Sequence, residues 1–137
     1  MILRQVTPTI WQADEEEARK ICTDQAKLLE LGIKAVLCPA WNVRIPYAPA
    51  LASLILPIWD DTRVDDTWFD FAVKFHRSFG PTLVHCHGGL NRSVTFAAAL
   101  AFSEGQSLEQ TYSKLKMEPV FQQMRDAVRY WSKLRKP

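Results

Sequence analysis

"VHCHGGLNRSVTFAAAL" (residues 84–100) sets two histidines, a cysteine, two glycines and an arginine between His85 and Ser93, then continues into small apolar residues. The flanks decide how it is read. "PTLVHC" (81–86) has the length and apolar content of a short buried strand. Residues 93–102 read as a helix that is apolar nearly all round, and hence interior. The polar stretch is therefore a strand-to-helix turn. In open α/β sheets, ligands bind just beyond the carboxyl ends of the strands. Gly88 and Gly89 allow the backbone to curl with several N–H groups turned inward, and the helix adds its unpaired N–H groups and positive dipole end.

The turn is thus a cradle for an anion, lined by His87, Gly88, Gly89, Leu90, Asn91 and Arg92. The planar fork of Arg92 suits two oxygens of a tetrahedral anion. Cys86 lies at the cradle floor, where inward amides, a helix N-terminus and a guanidinium all favour a thiolate. A sulfur nucleophile, a phosphate-shaped nest and an arginine clamp fit displacement at phosphorus through a cysteinyl-phosphate intermediate. The rival reading is a metal site. It fails on geometry, because His85, Cys86 and His87 are consecutive and neighbours at a strand end point to opposite faces. No metal and no cofactor is expected.

The rest of the chain supplies the context for that turn. "ILRQV" and "TIWQA" read as short edge strands, and Asp14 as the N-cap of a helix running to Leu31 and stopped by Gly32. "IKAVLC" (33–38) is a buried strand, and "LASLILPIW" (51–59) has the continuous apolar run of a central strand covered on both faces, weakening at Pro57. Asp65 and Asp66 start a helix whose apolar stripe is Trp68, Ala72, Phe75 and Phe79, with His76 on its surface. A helix over 107–116 follows. A last one places Val120, Phe121, Met124, Ala127, Val128, Trp131 and Leu134 on one face. Strands alternating with helices indicate a twisted, mostly parallel sheet of four to five strands flanked by helices.

The 137 residues fit one domain, 1–137, with a real core. At 47% hydrophobic and 23% charged residues the chain is globular, and a net charge of +2 is too small to argue for nucleic acid or a membrane surface. The basic residues near the end, from Arg125 to Lys136, read as the wet side of a helix. No apolar run spans a bilayer and the acidic N-terminal stretch does not resemble a signal peptide, so a cytoplasmic monomer is expected. The three cysteines, Cys22, Cys38 and Cys86, are odd in number and far apart, which argues against a disulfide framework.

The segment H-C-x-x-G-x-x-R-S, with Cys86 and Arg92 six positions apart, resembles the signature of the cysteine-dependent protein phosphatases, above all their compact dual-specificity branch. "LLELGIKAVLCPAW", "LPIWDD" and "GQSLEQTYSKLK" resemble, in turn, the lead-in, the general-acid loop and the helix after the phosphate loop. The resemblance implies that Cys86 is the nucleophile and that the amides from His87 to Arg92 hold the phosphoryl oxygens. It also implies that Ser93 helps the thiolate leave and that His85 braces the loop. "LPIWD" puts Asp60 first as the acid, 86 − 60 = 26 residues before the cysteine, with Asp61 as the alternative. Substrates would be phosphotyrosine, phosphoserine or phosphothreonine in proteins, or small phosphate esters, reached through a shallow site. "GLNRS" also resembles the loop of RNA 5′-triphosphatases, although Gly88 stands where their second histidine would be. That keeps an RNA 5′ end open as a substrate. A non-catalytic phosphate-binding module is a further alternative. In some relatives a cysteine at the strand end matching Cys38 traps the oxidised nucleophile, which makes Cys38 a candidate redox partner of Cys86. Trp41 and Trp59 either flank the entrance or pack in the core.

Overall fold

The computed structural model describes residues 1–59 and 64–135. Its elements, in chain order, are β1 (Leu3–Thr7), β2 (Ile10–Ala13), α1 (Glu15–Cys22), α2 (Gln25–Leu31), β3 (Ala35–Cys38), β4 (Ala52–Ile55), α3 (Asp66–Phe79), β5 (Thr82–His85), α4 (Arg92–Ser103), α5 (Leu108–Leu115) and α6 (Gln122–Leu134). The five strands form one sheet in the order β1-β2-β5-β3-β4, antiparallel between β1 and β2 and parallel elsewhere. The sheet is therefore mixed, with one antiparallel edge on an otherwise parallel core.

Alternation along the strands sorts the two faces. Val36 and Leu83 pack with Ala18, Ile21, Cys22 and Leu28 of α1 and α2. Leu37 and Val84 turn the other way, into the larger core with α3, α4, α5 and α6. At the centre of that layer is α4, every residue from Val94 to Ala101 buried. Its alanines let three helices approach closely, so an all-apolar helix is stable here.

Five expectations need correction. The helix expected from Asp14 to Leu31 is two helices. Asp24 Oδ1 accepts the Ala26 and Lys27 amides at 3.0 and 3.3 Å and starts α2 afresh, while Gly32 at φ 73° ends it as expected. The apolar run 51–59 is not a central strand. Only Ala52–Ile55 pairs, as an edge strand with alternating exposure, and beyond it Leu56 and Ile58 bury their side chains without a ladder. In α3 the buried residues are Phe69, Ala72, Val73 and His76; of the expected stripe, Ala72 is buried and Trp68 and Phe75 pack half-buried against the core, while Phe79 is exposed. Phe69 packs against Phe96 and Trp131, with ring centroids 4.8 and 5.4 Å away, and this packing selects the face.

His76 is consequently a core residue rather than a surface one, bonded through Nδ1 to Thr82 Oγ1 and through Nε2 to Glu104 Oε2, both at 2.8 Å. In α6 the buried face is Met124, Ala127, Val128 and Trp131, while Val120, Phe121 and Leu134 are exposed.

For the site, the main consequence is that β5 is the middle strand. Its partners β2 and β3 end beside it, in registers Ala13↔His85 and Leu37↔Val84. The turn that leaves β5 is thus flanked by whatever follows Ala13 on one side and Cys38 on the other.

Candidate active site

Cys86 is the first residue after β5 and is 2% exposed. Its Sγ accepts the Ser93 main-chain N–H at 3.3 Å and lies 3.2 Å from Ser93 Oγ. The sulfur therefore sits against the first turn of α4, at the positive end of the helix dipole. Among the described residues, the amides of His87, Gly88, Gly89 and Leu90 have no protein acceptor, although Gly89 is buried. Four main-chain donors beside a sulfur are what an oxyanion would need.

Neighbouring segments hold the loop in shape. Gly89 has φ 71°, and a Cβ there would lie 3.1–3.2 Å from Asp14 atoms, so glycine is needed for both conformation and approach. Asp14 caps α1 through Glu17 N at 2.9 Å, and Glu15 N donates to His87 O at 3.1 Å. On the far side, Val120 N donates to Leu90 O at 3.2 Å and Phe121 N to Asn91 Oδ1 at 3.0 Å. Asn91 thus anchors the loop to the lead-in of α6.

Arg92 is 2% exposed, and its Nη1 donates to Ile58 O at 2.8 Å and Asn42 Oδ1 at 3.0 Å. Ile58 lies two positions before Asp60, so Arg92 is tied to the segment that carries the candidate acids. Asp60 and Asp61 themselves lie outside the described residues. Ile58 O also accepts Trp41 N at 3.2 Å. Trp41 stacks on Trp59 with ring centroids 4.0 Å apart, and both are exposed. The stack thus stands beside the guanidinium at the surface, not in the core. With Leu90, Val120 and Phe121, also exposed, it gives the site an apolar rim.

Behind the loop, His85 is fully buried, and its Nε2 shares a 2.6 Å hydrogen bond with the Tyr47 hydroxyl. Burial pushes the imidazole down to about 4 and the phenol up, so both are neutral near pH 7. His87 points outward to Glu15, with Nδ1 2.9 Å from Oε1, and this hydrogen bond holds the Glu15 carboxyl below its usual range. Cys38 shares a buried cluster with Cys86, Ala40 and Val43. Burial raises its thiol to about 11, and that of Cys22, on α1, to about 12.

Gln12, Asn42 and Tyr47 are site residues that sequence reasoning missed. For Gln12 a signal existed, since it is the one amide in the apolar strand "TIWQA". Its Nε2 donates to Gly89 O at 2.9 Å and to Ser93 Oγ at 2.8 Å. Among the described residues, no group of three or more potential metal ligands is found.

The five-stranded sheet with α1 and α2 on one face and α3 to α6 on the other has the fold of compact dual-specificity phosphatases, as solved structures show. The chain superposes on a mouse protein described as a dual specificity phosphatase, solved with zinc tungstate, at TM-score 0.80 and 22% identity, covering 96% of this chain and 87% of that one. It matches DUSP15 at TM-score 0.77 and 18% identity, over 95% and 86% of the two chains. It matches the human tyrosine phosphatase-like serine/threonine/tyrosine-interacting protein at TM-score 0.75 and 15% identity, over 96% of each. No protein-family model matches the sequence, and no curated sequence matches it.

Proposed function

We propose that residues 1–137 form a single phosphatase domain that hydrolyses phosphate monoesters of tyrosine, serine or threonine through a phosphocysteine. The observation that carries this reading is the position of Cys86 Sγ, 3.3 Å from the Ser93 amide and beside the amides of His87 to Leu90, which have no acceptor among the described residues. The thiolate attacks phosphorus, and the P–O bond to the leaving group breaks. Asp60, or else Asp61, gives the departing oxygen its proton, worth about 10²–10⁴ in rate. The loop amides and Arg92 carry the charge that builds on the phosphoryl oxygens. Water, deprotonated by the same aspartate, then attacks the phosphocysteine, and Ser93 steadies the sulfur as it leaves.

The apolar rim of Trp41, Trp59, Leu90 and Phe121 supports phosphorylated protein or aryl phosphate over a highly charged headgroup. An RNA 5′ end is less well supported, because Asn91, the residue behind that resemblance, is engaged in anchoring Phe121. The presence of both Cys86 and Arg92 supports chemistry over phosphate binding alone. Cys38, packed in the cluster with Cys86, is proposed to trap the peroxide-oxidised nucleophile. Its thiol condenses with the Cys86 sulfenic acid, forming a disulfide and releasing water.

Turnover of p-nitrophenyl phosphate, with mass-spectrometric detection of phosphorus on Cys86 after acid quench, tests the reading. Tungstate, a tetrahedral oxyanion present with the mouse neighbour, should inhibit competitively. A Cys86→Ser rate equal to wild type refutes the proposal.

A further inference from the structure

The least explained residue near the sulfur is Gln12. It is fully buried in β2, and among the described residues its Oε1 has no hydrogen-bond partner. An unpaired buried acceptor is costly, so an apolar residue of the same size would serve stability better. The orientation of its amide is settled by chemistry. The Gly89 carbonyl can only accept, so the group 2.9 Å from it must be the NH₂. The same nitrogen then donates to Ser93 Oγ at 2.8 Å.

Two consequences follow for the single Ser93 proton. A helical serine ordinarily returns its hydroxyl to the carbonyl four residues back. Thr95, two positions on, does this, donating to Asn91 O at 2.8 Å. For Ser93 the corresponding carbonyl is Gly89 O, and Gln12 occupies it. Gln12 also fills an acceptor position on Ser93 Oγ. The remaining neighbour is Cys86 Sγ, 3.2 Å away.

We infer that Gln12 is a positioning residue, which aims the Ser93 hydroxyl at the Cys86 sulfur. It acts through Ser93 and does not touch substrate. Its contribution falls on the thiolate itself and on the second half of the reaction, when the P–S bond breaks and the sulfur leaves with the electron pair. The role rests on the phosphocysteine reading above, but the thiolate component can be measured without turnover.

The test uses Gln12→Leu, Ser93→Ala and the double variant, with Gln12→Met as a second aliphatic replacement should the leucine variant fold poorly. A hydrogen bond to a charged group is worth about 1.5–3 kcal/mol and one pH unit about 1.4, and loss of aim alone removes part of that. The pH profile of Cys86 alkylation by iodoacetamide should move to the alkaline side by about half a unit to one unit in Gln12→Leu. On the pH plateau, kcat should fall about three- to tenfold while kcat/KM changes by less than about twofold, and phosphoenzyme should accumulate. The double variant should match Ser93→Ala in both readouts.

An unmoved alkylation profile in Gln12→Leu, or a Gln12 effect that persists in full on the Ser93→Ala background, overturns the inference. If the wild type neither turns over p-nitrophenyl phosphate nor gains phosphorus on Cys86, the phosphatase reading fails instead, and the alkylation profiles still decide the role of Gln12.

Discussion

Buried and held near pKa 4, His85 makes the stability of this fold depend on pH in a way that one substitution should remove. The unfolded chain returns the imidazole to about 6.5. Between these values the unfolded state binds a proton that the folded state refuses, so stability falls as pH drops through 6.5 and the loss is complete below 4. At pH 5 the unfolded chain gains about 2.303RT × 1.5, or ~2 kcal/mol, while the folded protein leaves His85 mostly neutral. At pH 7 the same effect is only ~0.2 kcal/mol. Burial is the main cause, and Glu15 and Arg19 act on the ring in opposite directions. His85→Gln keeps a group able to bond the Tyr47 hydroxyl and removes the titration.

Urea unfolding of wild type and His85→Gln at pH 7 and pH 5 isolates the effect, because every other titrating group, including His76 and the carboxylates, is common to both proteins. The variant should lose about 2 kcal/mol less than wild type between the two pH values. Equal losses would refute the argument that a neutral imidazole is locked behind the cysteine.

Three further outcomes are expected. Gly89→Ala must place a side chain at φ 71° and 3.1–3.2 Å from Asp14. It should cost about 2 kcal/mol in denaturant unfolding and lower turnover, whereas Gly88→Ala, which meets nothing within 4 Å, should stay within about 0.5 kcal/mol of wild type. Asp60→Asn should slow hydrolysis of alkyl phosphates by about 10²–10⁴ and alter the pH–rate profile. If Asp61→Asn does so instead, the acid is Asp61, and if neither does, the substrate carries a better leaving group. After mild peroxide, non-reducing peptide mapping should find a Cys38–Cys86 crosslink that Cys38→Ser abolishes. Because the Cys38 thiol is raised to about 11, its yield at a fixed time should be larger at pH 9 than at pH 7.

Where sequence reasoning went astray, the competing force can be named. The apolar periodicity of residues 14–31 runs across a helix break, because Asp24 offers its carboxylate to two amides and periodicity does not register a cap inside an otherwise regular pattern. Residues 51–59 look like a central strand because burial by loops and burial by a sheet need the same apolar side chains. The face of α3 could be drawn along either of two overlapping stripes, and Phe96 and Trp131, far along the chain, select between them. His76 reads as a surface residue until Thr82 and Glu104 are seen to bond both ring nitrogens.

The order of residues alone determined the turn from His85 to Ser93. A strand ending, two glycines, a cysteine, an arginine and a helix beginning are all local, so the strand, turn and helix are legible without the rest of the chain. What surrounds that turn was decided only when the sheet formed. Pairing of β5 between β2 and β3 brings Gln12 beneath Ser93, Tyr47 onto His85, Asn42 onto Arg92 and Cys38 into the cluster with Cys86. These partners lie 38 to 81 positions away along the chain. Their meeting depends on strand order and register, which no local pattern encodes.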